Sequence, residues 1–243
     1  MAPGAIQLPG SRADRRHRRQ VKCRSRQGND LRSPLFQRSH RRRPDGSRRS
    51  GYDNRCHDLS VLIVSAHQGY PRWLNSGADF LEIDVRRSKD GVYVISHDEP
   101  RPGARYATFE EVLQAAAGRI GLHLDLKEPA YDLDLVGRAL ARLPRDKLVV
   151  TTDDNESIRR VKGHFPGVRA GGGLEQPDAD FISLDQQYAT NEKLSVCERS
   201  GRKVWIWTVD DKRLMRRFIA DPRVAGLITN RPDRALKLRS ARS

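Results

Sequence analysis

From residue 59 to its C-terminus the chain alternates short apolar runs with amphipathic segments, and this alternation restricts its fold more than any other feature. Period-two and short apolar runs predict strands over 59–66, 79–85, 120–126, 147–152, 168–170, 180–184, 203–209 and 226–229. Helical periodicity predicts helices over 109–117, 133–142, 156–165, 191–200, 212–220 and 234–242. Thr108 ahead of Glu110 and Glu111, and the run Asp153-Asp154-Asn155 ahead of Glu156, read as N-terminal caps with acidic first turns. Strands alternating with helices make a parallel sheet, and eight of them close naturally into a (β/α)8 TIM-type barrel. The rival doubly wound sheet lacks its usual mark, because no G-x-G-x-x-G turn follows the first strand.

In such a barrel, reactive side chains gather at the C-terminal ends of the strands. His67 follows the first strand, Glu82 and Asp84 end the second, and Asp125 and Lys127 end the third. In the run HLDLK, His123, Asp125 and Lys127 alternate with Leu122, Leu124 and Leu126, so the polar set should face the barrel mouth. Trp205 and Trp207 share a face of the seventh strand and are expected to wall the same pocket. Between Gly77 and Asp98 the chain reads as a β-hairpin turning at Asp90-Gly91, the strongest two-residue turn signal. A tight turn sets Asp84 opposite His97, with their Cβ atoms roughly 5 Å apart. Glu82, Asp84 and His97 then converge on one face, while Leu81, Ile83 and Val85 take the other. Two carboxylates and an imidazole on a buried face are costly unless they hold a cation or move protons.

The formal charge of +15 is unevenly distributed. Residues 1–58 hold 16 Lys and Arg against 5 acidic residues, a net of +11, which leaves +4 for the remainder. That Arg-rich segment has no periodic apolar positions and is expected to be disordered. It reads either as a nucleic-acid arm without sequence specificity or as translated GC-rich non-coding sequence. Three cysteines, Cys23, Cys56 and Cys197, make no disulfide framework, and Cys23 with Cys56-His57 is a poor zinc pattern. With no run apolar enough for a leader or a membrane span, a cytoplasmic protein is expected.

These residues resemble the glycerophosphodiester phosphodiesterase family of TIM-type barrels. The resemblance rests on His67-Gln68-Gly69, Gly77-Ala78-Asp79, Glu82-Ile83-Asp84-Val85, Lys89-Asp90-Gly91, His97-Asp98, Asp125-Leu126-Lys127, Trp207-Thr208-Val209 and Thr229-Asn230-Arg231-Pro232. In consistent order they cover roughly residues 60–238. The resemblance implies metal-dependent hydrolysis of glycerophosphodiesters to glycerol 3-phosphate and an alcohol. It implies Glu82, Asp84 and Asp125 as ligands of one divalent cation, Mg2+ or Ca2+, and His67 and His97 as acid and base. Lys127 is implied as a phosphate contact and Trp207 as an apolar wall for the substrate.

The chain departs from the family pattern at three places. Gln68 stands where the family has arginine, replacing a charged fork for phosphate by a neutral amide. Asp125 stands where the family has glutamate, and the alternative to its ligating a cation is an ion pair with Lys127 or His123. Only the stretch from Gln68 to Ala78 separates His67 from Asp79, too short for the usual crossover helix, and the loop through Gly171-Gly172-Gly173 leaves little room for another. A pruned barrel over residues 59–243 is therefore expected, active or catalytically impaired and able only to bind phosphodiesters.

Overall fold

The computed structural model of the protein describes residues 61–128 and 131–241. Residues 1–58, with the expected disorder, the basic arm and the Cys23 and Cys56-His57 pattern, lie outside the described residues. Among the described residues nine strands form one sheet: β1 (Ile63–Ala66), β2 (Phe80–Arg87), β3 (Tyr93–Ile95), β4 (Gly121–Leu126), β5 (Leu148–Thr151), β6 (Arg169–Gly172), β7 (Phe181–Asp185), β8 (Lys203–Trp207) and β9 (Val224–Thr229). All but β3 run parallel, and β1 pairs with both β2 and β9, which closes the barrel. Six helices among the described residues surround it: α1 (Phe109–Ala116), α2 (Asp132–Leu140), α3 (Asn155–His164), α4 (Asn191–Arg199), α5 (Lys212–Ala220) and α6 (Pro232–Ser240). None of them is long and apolar enough to cross a membrane.

Local chemistry accounts for where the helices begin. At α1, Thr108 Oγ1 accepts from the Glu111 amide at 3.2 Å while Glu111 Oε2 accepts from the Thr108 amide at 2.7 Å, a reciprocal capping box. Asp154 caps α3 by accepting from the Glu156 and Ser157 amides. Helix α6 begins two residues before the expected Arg234, because Pro232 has a preset φ and loses nothing by lacking an amide proton in the first turn.

The pruning is real. No helix joins β1 to β2; turns between His67 and Asn75 make the crossing, and Tyr70, Trp73 and Leu74 pack on the core in the helix's place. The link from β6 to β7 also lacks a helix. Leu81, Ile83, Val85, Leu122, Leu124 and Leu126 face outward into the main core beneath the helices. The opposite face fills the barrel interior with Phe80, Val149, Phe181, Trp205, Ala225 and Ile228. Trp205 sits at the centre, stacked on Phe181 with ring centroids 4.5 Å apart. Glycines on neighbouring strands make room: a Cβ at Gly121, Gly171 or Gly226 would overlap the ring of Phe80, Phe181 or Trp205.

Candidate active site

Parallel register builds the acidic centre. On β2 and β4, Glu82 pairs with His123 and Asp84 with Asp125, so one inward-facing row carries Asp84 beside Asp125. Adjacent strands lie about 4.8 Å apart, which places these carboxylates within reach of a common ion. Oxygens of Glu82, Asp84 and Asp125 lie within 4.8 Å of one another. Hard carboxylate oxygens at that spacing fit a divalent cation. Burial first, then the Asp84 charge, push the Glu82 carboxyl up to about 8. Asp125 fits the cluster despite its shorter side chain, and the alternative ion pair is present as well. Lys127 Nζ bridges Asp125 at 2.5 Å and Asp84 at 2.8 Å, which partly offsets the concentrated negative charge.

Gln68 belongs to this centre rather than standing apart as a phosphate fork. Its φ of 42° lies in the left-handed region. There its amide donates to Glu82 Oε2 at 2.7 Å and its side-chain nitrogen to Asp84 Oδ2 at 3.0 Å. The neutral amide thus orients two carboxylates at once.

Hydrogen bonding also fixes the imidazole tautomers. Asn230 gives its side-chain N–H to Asp210 at 2.8 Å, so its oxygen must accept from His67 Nδ1 at 3.0 Å. His67 Nε2 is left as the basic nitrogen. Asp98 Oδ1 accepts from His97 Nδ1 at 2.9 Å, which leaves Nε2 of that ring free in the same way. Beneath them His123 is buried: Thr151 Oγ1 donates to Asp125 at 2.9 Å and therefore accepts from His123 Nε2 at 3.0 Å. His123 Nδ1 in turn accepts from the Ser65 hydroxyl at 3.2 Å. Burial drives His123 down to about 3, so it serves as a neutral floor for the cavity.

One cavity of about 200 Å³ at the C-terminal mouth is lined by His67, Glu82, Asp84, His97, Asp125, Lys127 and Trp207, all seven residues singled out from the sequence. Two expectations about geometry need correction. Asp84 does not pair with His97: Val85 pairs with Ile95 and Arg87 with Tyr93, and the Asp84 carbonyl accepts from the Ser96 amide. The hairpin closes through three residues rather than two, with Gly91 at φ 86° as the bulge residue, so the register slips by one. His97 reaches the cavity from beyond the end of β3, with its side chain 63% exposed. Trp205 does not wall the mouth. It is buried two residues deeper along β8, while Trp207 at the strand's end is 40% exposed. The roles of Asn230 and Asp210 escaped the sequence reading. Asn230 stood within the Thr229-Asn230-Arg231-Pro232 motif without a role of its own, and the signal for Asp210 was its position just beyond the C-terminal end of β8.

A closed parallel sheet ringed by helices, with carboxylates and imidazoles gathered at its C-terminal mouth, defines a (β/α)-barrel with a candidate acid–base and metal centre. A model of the glycerophosphoryl diester phosphodiesterase family matches residues 69–116. A glycerophosphodiester phosphodiesterase of Caldanaerobacter subterraneus subsp. tengcongensis is 24% identical over 236 residues, covering 72% of this chain and 97% of that protein. A solved glycerophosphodiester phosphodiesterase from Parabacteroides distasonis has a TM-score of 0.62 at 20% identity, covering 75% of this chain and 98% of its own. A phosphodiesterase from Oleispira antarctica, solved with the product sn-glycerol-3-phosphate, has a TM-score of 0.61 at 18% identity, covering 73% of this chain and 96% of its own. The chain is thus similar to the glycerophosphodiester phosphodiesterases, in sequence over residues 69–116 and in fold across the whole barrel.

Proposed function

We propose that this chain is a member of the glycerophosphodiester phosphodiesterase family and hydrolyses glycerophosphodiesters to glycerol 3-phosphate and an alcohol, with Glu82, Asp84 and Asp125 holding one Mg2+ or Ca2+ ion. The convergence of three carboxylates and two imidazoles on one cavity of about 200 Å³ carries this reading. A cation bound there offsets charge developing on the phosphoryl oxygens. His67, with Nδ1 committed to Asn230, takes a proton at Nε2 from the attacking hydroxyl. The nearest such hydroxyl belongs to the glycerol itself, so attack closes a cyclic phosphate that water then opens. His97, its Nδ1 held by Asp98, acts in its imidazolium form and gives the Nε2 proton to the departing alcohol; it takes a proton back from the water that opens the cyclic phosphate, as His67 returns its own to the glycerol hydroxyl. Lys127 places an ammonium beside the phosphate, and Trp207 offers an apolar wall to the organic groups. This reading assigns catalysis to residues 59–243 as one domain and asks nothing of residues 1–58.

The test is release of glycerol 3-phosphate from glycerophosphocholine by purified protein with Mg2+ or Ca2+, together with a melt. Divalent-dependent turnover that chelator removes is expected. A cooperative melt without turnover under any divalent ion would overturn the reading and leave a protein that only binds phosphodiesters.

A further inference from the structure

Only two aromatic side chains are prominently exposed among the described residues, Tyr188 at 60% and Trp207 at 40%, and both line one groove. This groove of about 820 Å³ lies beside the catalytic mouth and shares Ser183 and Trp207 with it. Leu174, Leu184 and Val196 supply its apolar lining. It is bounded by the helix-free link from β6 to β7 on one side and the start of α4 on the other. The residues that line it carry charge of the opposite sign to that of the whole chain, and Arg202, bonded to the Leu174 and Gln176 carbonyls, stands behind them as a further cation. Glu175, Asp185 and Glu192 face a single cation, Lys193, for a net of −2 on a protein of +15. Asp185 is engaged by Gln187, but Glu175 and Glu192 make no ion pair among the described residues.

The size of the mouth indicates which part of a substrate would enter this groove. Clefts that enclose a whole organic ligand run to about 300–1,000 Å³. A mouth of about 200 Å³ has room for the phosphate and one of its two alcohols, and the groove that shares Ser183 and Trp207 with it offers space for the second. Exposed aromatic faces with uncompensated carboxylates beside an apolar surface suit an organic cation, which gains from ring quadrupole and negative charge together.

Building on the hydrolase reading above, we propose that this groove is the subsite for the leaving alcohol and selects a cationic amino alcohol such as choline or ethanolamine. Tyr188 and Trp207 contact the ammonium-bearing end, and Glu175 and Glu192 supply the charge. The nearest neutral comparison for choline is 3,3-dimethylbutanol, its carbon isostere.

Two readouts test the assignment, one of them independent of catalysis. In the first, the full-length protein is titrated with choline chloride and with 3,3-dimethylbutanol while tryptophan fluorescence is followed. Choline is expected to bind saturably and about fivefold or more tighter than the isostere. The Tyr188→Ala variant and the Glu175→Gln/Glu192→Gln double variant, both at exposed positions and checked by melt, should each erase most of that difference. In the second, kcat/KM for glycerophosphocholine is compared with that for the 3,3-dimethylbutyl ester, and the ratio should fall toward one in both variants. Equal binding of choline and its isostere, or a preference that survives both variants, overturns the groove assignment. Choline binding lost in the variants, in a protein that hydrolyses neither diester, upholds the groove and overturns the hydrolase reading. Turnover of both diesters at equal efficiency does the reverse.

Discussion

Raising the pH of the ion-free protein from 6.5 to 8 is expected to destabilise it, through Glu82. Its carboxyl is pushed from 4.5 up to about 8, by burial first and by Asp84 second. It therefore keeps its proton in the fold while the unfolded chain ionises, and stability present below 4.5 is lost as pH rises to 8. His123 acts in the other sense. Burial lowers it from 6.5 to about 3, so stability present above 6.5 is lost as pH falls through that range. Between 4.5 and 6.5 the two slopes oppose one another. From 6.5 to 8 Glu82 acts alone of the pair, and about 1.36 kcal/mol per pH unit amounts to a loss of about 2 kcal/mol. Urea unfolding in chelator at half-unit steps of pH measures this, and Glu82→Gln should flatten the decline. A wild-type curve that stays level or rises from 6.5 to 8, or an undiminished decline in Glu82→Gln, would refute the linkage. The same proton competes with a cation, so Mg2+ should bind about 100-fold more weakly at pH 6 than well above pH 8. Calorimetry should then register nearly one proton released per ion at pH 6.

Replacing His67 or His97 by alanine should each lower kcat by about 10²–10⁴-fold without moving the melt, as expected for a lost acid or base. Asn230→Leu removes the partner of His67 Nδ1 and should lower kcat by about tenfold or more with little change in KM, measured on glycerophosphocholine. Lys127→Met leaves Asp84 and Asp125 facing each other without their ammonium, and should cost about 1–3 kcal/mol in ion-free urea unfolding, much of it recovered with Mg2+. Trp205→Ala empties the centre of the barrel interior and should cost about 3–5 kcal/mol by the same measurement.

The order of strands and helices, the caps at Thr108 and Asp154 and the absence of a first crossover helix were legible from the chain alone. Each depends on contacts within a few residues: periodicity selects a face, and a side-chain oxygen meets an amide two or three positions ahead. Period two likewise separated Glu82 and Asp84 from Leu81, Ile83 and Val85 before any partner was known. The hairpin shows where local reading ends. Asp90-Gly91 announced a turn, but a two-residue and a three-residue closure share that signal, and the backbone at Gly91 decided between them. That choice moved His97 off the position opposite Asp84.

What tertiary structure alone decided was adjacency across the barrel. Asp125 stands beside Asp84 because β4 packs parallel to β2 in one particular register, and no periodicity within either strand specifies the register between them. His67 meets Asn230, 163 residues away, only because β1 and β9 close the sheet. The shortness of the β6–β7 link could be counted in the sequence, yet the groove bounded by Tyr188, Trp207 and Glu192 exists only once those elements are placed side by side. Residue type and spacing set which groups face inward; closure of the sheet set which of them touch, because hydrogen bonds and ion pairs act over a few ångströms of space whatever their separation along the chain.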